Sequence, residues 1–525
     1  MANFGINKLK NFVKDHYKFL ILFSSLAIVN VFFLCWNFKF NSLSFGKNFI
    51  IMLIGSISVE IILCIIIYFS KLKSWKIENI FLILGFTIGV FYLFALPVGR
   101  APDEESHFFR IYEITSGNLT SNISEQGDAG SLQPQDIEII RDVSVNNITY
   151  SELLSNINDQ ADEQLTFVKT SADSYSIISY LPQTIGMFIG KTLGLPYIIS
   201  AYIAKLFNLI CCLIILYFSI KYIPFLKEFI FFLTFLPINM QALVSLSTDA
   251  LITVSAIALI SFVLYSIYTM KTTFTKKHFF ILLTLCTLVS VTKIVYTPLC
   301  FMLFAIPKER FGGNSKRKIT WIISLGALVI LIYFAWRFFA PPIRHASDAS
   351  TQFISIIQNP FYYIAILLNS ISTNFSLYIV GAFGGYLEWF NVPLSMLYIF
   401  TSLIIFILLC VQARKYYAIP KSIKNLSISL FILITVIIFT ALYISWTKVG
   451  EVTIDGVQGR YFLPIMLLIP IICMPTFQKT KKKQISSKKL DYSNHISNPR
   501  QNYYLYTFFI FESMYAIISV ACTHI

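Results

Sequence analysis

Pro102-Asp103-Glu104-Glu105-Ser106-His107-Phe108-Phe109-Arg110 is the stretch whose reading decides the fold. It follows a long apolar run that ends at Leu96-Pro97, and it opens the long polar loop of a chain that is otherwise apolar. As a helix the stretch starts well. Pro102 suits a first turn, acidic side chains follow where a helix N-terminus favours negative charge, and Gly117 can close the other end. At about 100° per residue, Asp103, His107 and Arg110 fall on one side, with Glu104 about a quarter turn away. Phe108, Phe109 and Tyr112 cover the opposite side and can rest on a bilayer surface. A carboxylate, an imidazole and a guanidinium converging at a membrane face can supply a base, a proton relay and an anion clamp. The plainer reading is a charged collar that stops a transmembrane helix, since charges commonly flank spans.

Composition sets the class. Of 525 residues, 56% are hydrophobic and 13% charged, with 50 Phe and a mean hydropathy of +0.70. No soluble domain needs so many apolar runs of about twenty residues, so the chain reads as an all-α, polytopic membrane protein. The net charge of +15 reports orientation and contact with anionic lipid, not nucleic acid. None of the nine Cys has metal-site spacing, and no disulfide framework is visible.

Taken in order, Lys8, Lys10, Lys14 and Lys18 precede an apolar run at 19–37 and place the N-terminus in the cytoplasm. Runs at 48–70 and 78–97 return to Lys71, Lys73 and Lys76 and then deliver the Asp103 segment outside. The acidic stretch 118–173 reads as a small exoplasmic insertion. Residues 174–193 are apolar but interrupted at Pro182-Gln183. If they crossed, Arg310, Lys316, Arg317 and Lys318 would lie outside, against the positive-inside rule; the parity works if 174–193 lies in the outer interface. The run 279–306, split by Lys293, reads as two short crossings, with Lys293 either snorkelling or contacting phosphate. By the same parity Arg344, His345 and Asp348 are outside, 353–387 stays on the outer face, and the Lys479–Lys489 cluster is cytoplasmic. Further runs at 197–220, 227–246, 250–270, 319–339, 392–411, 425–446, 460–476 and 503–521 bring the total to about thirteen crossings. Three parts result: a two-span extension (1–77), a module (78–306) with the exoplasmic loop 98–196, and a module (307–525) with the basic loop 478–500.

A second motif, Asp455-Gly456-Val457-Gln458-Gly459-Arg460-Tyr461-Phe462-Leu463-Pro464, stands at the outer mouth of a late span. Its glycines allow close backbone approach, and Arg460 is either an interfacial anchor or part of an anion site. The pairing of Pro102–Phe108 with Gly456–Pro464 resembles the bacterial DUF2142 family of polytopic membrane proteins. Phe235-Leu236-Pro237 with Gln241, Ser247-Thr248-Asp249-Ala250 and Thr292-Lys293 fit the same resemblance, which covers about residues 80–475.

That family is itself similar to the GT-C glycosyltransferases, helical bundles with interfacial helices that take sugars from polyprenyl-phosphate carriers. The resemblance implies Asp103 as base, Glu104 as second acid and His107 as their partner. It implies Lys293, Arg460 and Arg110 as lipid-phosphate contacts, and Asp249, Gln458 and Tyr461 as the donor or acceptor pocket. The implied partners are a polyprenyl-phosphate sugar, a cell-surface glycan or lipid-linked acceptor, and the lipids of a bacterial plasma membrane. No cofactor is called for, although Asp103 and Glu104 leave a divalent ion open. Two departures stand: two spans precede the one leading into the first motif, and the 118–173 insertion has no counterpart. A polymerase or ligase, and a transporter or flippase of lipid-linked glycan, remain as alternatives, the latter expected to carry mid-membrane charges or an inverted repeat.

Overall fold

The computed structural model describes residues 2–120, 122–124, 129–134, 140, 149–159, 165–170, 172, 175–339, 349–476 and 499–525. Arg344, His345, Asp348 and the Lys479–Lys489 cluster lie outside them. Among the described residues, ten helices are long and apolar enough to cross a membrane, and the chain is an all-α polytopic membrane protein.

The helices, in order, begin with α1 (Ala2–Phe40), α2 (Lys47–Leu72), α3 (Ile77–Ala95) and the polar α4 (Glu104–Thr115). The short α5 (Tyr150–Ser155) and α6 (Leu181–Thr192) precede α7 (Tyr197–Tyr222). Next are α8 (Lys227–Phe235), α9 (Pro237–Leu243), α10 (Asp249–Tyr268) and α11 (Lys276–Thr292). After a 3₁₀ segment at Ile294–Ala305 come α12 (Ser315–Phe339), α13 (Ala349–Gln358) and α14 (Pro360–Ala382). The chain finishes with α15 (Met396–Tyr416), α16 (Lys421–Ser445), a 3₁₀ turn at Gly459–Ile465, α17 (Leu468–Cys473) and α18 (Pro499–Thr523). One apolar core runs through the bundle, from Leu63 on α2 to Ala521 on α18.

Several expected crossings are interrupted. The 227–246 run breaks between α8 and α9 at Leu236-Pro237, where the proline cannot continue the hydrogen-bond ladder. In the 279–306 run Lys293 is extended, and Pro298 sits in the 3₁₀ segment that follows. At about 2.0 Å per residue that segment covers more length than an α-helix would. It runs from Tyr296, which donates to the Tyr461 carbonyl at 2.8 Å, to the region where Arg310 Nε donates to Ser266 O at the far end of α10. The ten long apolar helices are fewer than the about thirteen crossings expected from the sequence, because these interrupted runs form no single long helix.

Helix α14 lies across α16 instead of alongside it. Tyr363 near its start bonds Thr440 on α16 at 2.6 Å, and Tyr378 near its end packs edge-on against Phe439, with ring centroids 5.6 Å apart. Those two tyrosines are about 22 Å apart along a helix, yet both meet the same turn of α16. So α14 crosses the end of α16, and α13 beside it exposes Phe353, Ile354 and Ile357; by length and composition α14 is itself among the helices able to cross a membrane. Helix α6 has 12 residues, too short to span at about 1.5 Å each. It doubles back along α7, where Gly186 and Gly190 admit Ala204 and Ser200.

Alternation of chain direction sends the basic groups to the end away from α4: Lys227 pairs with Glu78 at 3.9 Å, and Lys424 Nζ donates to Met474 O at 3.0 Å. At the α4 end, β1 (Asn122–Ile123), β2 (Ala129–Pro134) and β3 (Leu165–Lys169) form an antiparallel sheet in that order. The sheet and α4 share a small second core. Phe108, Phe109 and Tyr112 belong to it, at 0%, 1% and 8% exposure, so they do not lie on a bilayer surface. The reason is that this face packs into a core with Met187 of α6 and Tyr197, Ile198, Ala201 and Ala204 of α7, to which the inserted loop adds Ile140, Leu153 and Val168.

Candidate functional site

Four charged side chains from distant parts of the chain meet at the α4 end of the bundle. Asp103 caps α4 with left-handed backbone (φ +61°), so it stands outside the helix that the sequence places it in, and its side chain is 48% exposed. Asp249 opens α10, Lys293 stands at the break after α11, and Arg460 is the second residue of the 3₁₀ turn Gly459–Ile465. Arg460 Nη2 donates to Asp103 Oδ2 at 2.8 Å, and its Nε lies 3.5 Å from Asp249 Oδ2. Lys293 Nζ donates to the other Asp249 oxygen. Asp249 thus holds both cations, while Asp103 touches one of them and faces outward. Two acids and two bases give a cluster of no net charge whose members are available to exchange partners with an arriving anion.

Local sequence explains the placement. Gly459 sits so close to α14 that a Cβ would fall 2.1 Å from Ala382 N, and Gly456 adopts φ +78° against Trp446. Only glycine lets the chain turn there and bring Arg460 inward. Tyr461 then lies under both cations, 5.3 Å from Lys293 Nζ and 5.4 Å from the Arg460 guanidinium carbon, at cation–π range. A small cleft opens beside the cluster. Its walls include Ala101, Pro102, Asn239, Gln241, Tyr296 and Tyr461, together with Asp249, Lys293 and Arg460.

The other candidates are placed elsewhere. Glu104 is fully buried: Oε2 accepts from Gly99 N at 3.0 Å and Ala101 N at 3.1 Å, Oε1 accepts from Leu246 N at 3.0 Å, and Lys205 Nζ lies 3.6 Å away. With both oxygens taken, it clamps loops together instead of acting as a second acid, and an ion between Asp103 and Glu104 would lack its second carboxylate. Arg110 is buried too, bonded to Glu113 at 2.6 Å and to Leu119 O at 2.8 Å, and is not part of the cation pair. Gln458 precedes the Arg460 turn but is not among the cleft's walls.

His107 is buried, and its Nδ1 lies 2.7 Å from the Tyr180 hydroxyl. Burial pushes its imidazole down to about 4, with Lys293 and Arg460 adding to the shift against the pull of Asp103 and Asp249. The folded protein therefore prefers the neutral ring, whereas the unfolded chain takes up a proton at its ordinary value near 6.5. Stability from this group is complete above that value and is lost as pH falls from there toward 4. Melting temperature in detergent should drop by several degrees over that window, and His107→Asn should flatten the drop. An unchanged slope in the variant would remove His107 from the acid response.

Arg100, Glu388 and His524 form a buried cluster that sequence reading missed. Arg100 donates through Nε at 3.0 Å and Nη2 at 2.5 Å to Glu388 Oε2, and His524 Nε2 lies 2.6 Å from Oε1. Nothing local in Tyr386-Leu387-Glu388 announces a partner 288 residues away. Lys205 was also missed, although a lysine inside the apolar run 197–220 is a usable signal.

The family model described as a predicted membrane protein, DUF2142, matches residues 84–469. No curated protein and no solved structure matches the chain. The matched span contains every wall of the cleft, while α1 and α2 precede it and α18 follows it.

Proposed function

The chain belongs to the DUF2142 family of membrane proteins, and from that premise we propose that it is a membrane glycosyltransferase of GT-C type. It takes a sugar from a polyprenyl-phosphate carrier and passes it to a cell-surface glycan or related acceptor at the outer face of a bacterial plasma membrane, with its N-terminus in the cytoplasm. The observation that carries this reading is the convergence of Asp249, Lys293 and Arg460 on one cleft, with Asp103 paired to Arg460 at its edge, at the end of the bundle away from the basic loops. By the positive-inside rule, that end faces outward.

The chemistry follows from the roles these groups can play. Asp103 takes the proton of an acceptor hydroxyl, whose oxygen attacks the anomeric carbon of the donor sugar. The bond from that carbon to the phosphate oxygen breaks, and its electron pair leaves with the polyprenyl phosphate. Arg460 and Lys293 hold that phosphate as its charge grows, which is where stabilisation accelerates the step. Asp249 keeps the two cations in place before the donor arrives, and Glu104 positions the Asp103 loop.

A transporter of lipid-linked glycan would share the phosphate site but would form no glycosidic bond. Glu60 and Glu512 are buried within α2 and α18, and Glu512 accepts from Ser402 at 2.7 Å. Neither belongs to the cleft, and this favours transfer over transport.

The test is protein reconstituted in liposomes with a polyprenyl-phosphate hexose and an acceptor glycan, read as new glycosidic bond. Arg460→Ala should lower donor turnover about ten- to a hundredfold, the loss of a charge-assisted contact to phosphate. Arg460→Lys should recover little, since an ammonium cannot reproduce a fork that reaches both Asp103 and Asp249. Lipid movement without bond formation, or turnover indifferent to Arg460→Ala, would refute the reading.

A further inference from the structure

Gln241 lines the cleft, yet the charge chemistry above does not use it. Its surroundings decide how its amide lies. The backbone N–H of Glu388 donates to Gln241 Oε1 at 2.9 Å. An N–H has no use for a second donor, so the amide cannot be flipped, and Nε2 is the polar atom left to the cleft. Gln241 itself is 2% exposed, on a helix that begins at Pro237 and is pinned from both sides. Asn239 Nδ2 donates to Leu233 O at 2.5 Å, and Gly384 lies 3.0 Å, measured from an ideal Cβ, from Ile238 N.

The holder is held in turn. Glu388 has positive φ (55°), a conformation rare for a side chain of its kind, and its carboxylate is gripped by Arg100 and His524. Arg100 immediately precedes Ala101, whose N–H binds Glu104 and which forms part of the cleft wall. A buried ion cluster with two bases on one acid is more than a turn needs, and its free end is the N–H that orients Gln241. His524 lies outside the stretch matched by the family model, so this support comes from a part of the chain that the family pattern does not include.

We propose that Gln241 is a specificity-determining residue, donating through Nε2 to a hydroxyl oxygen of the sugar carried by the lipid. This rests on the glycosyltransferase reading and adds to it what the cleft recognises beyond phosphate. A neutral donor of fixed direction suits a sugar hydroxyl, whereas the phosphate is served by Arg460 and Lys293. Donors aimed at a particular hydroxyl discriminate strongly, because a ligand lacking that group leaves a buried N–H unpaired.

Two ligands separate the roles: a polyprenyl phosphate without sugar and the same lipid phosphate carrying a hexose, with binding of each measured on the full-length protein in nanodiscs. Gln241→Met removes the donor, and Gln241→Glu keeps an acceptor for Glu388 N–H while turning the cleft-facing atom into an acceptor. The quantity read is the ratio of the two dissociation constants within each protein, so effects on charge or folding common to both ligands cancel. The hexose lipid should lose about tenfold or more relative to the bare lipid in both variants. An unchanged ratio overturns the proposal. Joint loss of both ligands in both variants also overturns it, assigning Gln241 to the frame of the bundle. Failure of the underlying reading would look different: Arg460→Ala would then leave binding of the bare lipid phosphate untouched.

Discussion

Asp103→Asn is expected to abolish sugar transfer in protein that still inserts, folds and binds the lipid phosphate. The residue stands at the head of α4 with a half-exposed side chain and, among the described residues, one ion pair, to Arg460 at 2.8 Å. The pair is open to water on the Asp103 side and Arg460 keeps Asp249 as a second acid, so the change should cost folding about 1 kcal/mol or less. Asparagine keeps the shape and can still accept from Arg460, but it cannot take a proton from an acceptor hydroxyl. Loss of a positioned base typically costs about 10²–10⁴ in rate. Turnover should therefore fall by that factor while thermal stability and binding of polyprenyl phosphate stay near their original values. Turnover within a few-fold of the parent would reduce the Pro102–Arg110 motif to a helix collar.

Glu104→Gln, one residue along, should do the opposite. It should unfold the protein or loosen the cleft before any effect on chemistry can be read. Its two oxygens serve Gly99, Ala101 and Leu246 N–H groups and neutralise Lys205, all away from water. An amide has one acceptor oxygen. Whichever way it is turned, its NH₂ faces a backbone N–H, and Lys205 is left without its counter-charge. Breaking a buried pair in this way costs about 3–5 kcal/mol. In detergent the variant should melt many degrees lower, and Lys205→Met alone should be costly as well. If the double variant Glu104→Gln with Lys205→Met recovers most of the loss, the penalty belongs to the uncompensated charge. Additive losses would instead assign it to the three backbone donors.

The two neighbouring acids show what the sequence could and could not reveal. Asp-Glu before an aromatic run announces a helix start, but which acid turns inward depends on Leu246 and Lys205, more than a hundred residues on. The apolar runs and the alternation of basic loops were legible because bilayer thickness and lipid charge act on each segment by itself. The depth of Lys293 and Arg460 was also legible, since each stands at an interruption of an apolar run and such interruptions collect at sites. Their meeting through Asp249 was not, because the contact joins three helix ends by tertiary packing. Phe108, Phe109 and Tyr112 misled for the opposite reason. Periodicity marks an apolar face without saying whether lipid or protein covers it, and here α6, α7 and the folded insertion do.

The grip of Arg100 on Glu388 also bears on biogenesis. Their separation of 288 residues, at a synthesis rate of about 5–20 residues per second, corresponds to a delay on the order of tens of seconds. Through that interval the arginine has left the ribosome without its acid, and His524 has yet to be made. The ion cluster behind the cleft is therefore completed only when α18 arrives and His524 meets Glu388. A nascent chain halted before Glu388 therefore carries a cation without its acid beside the future site.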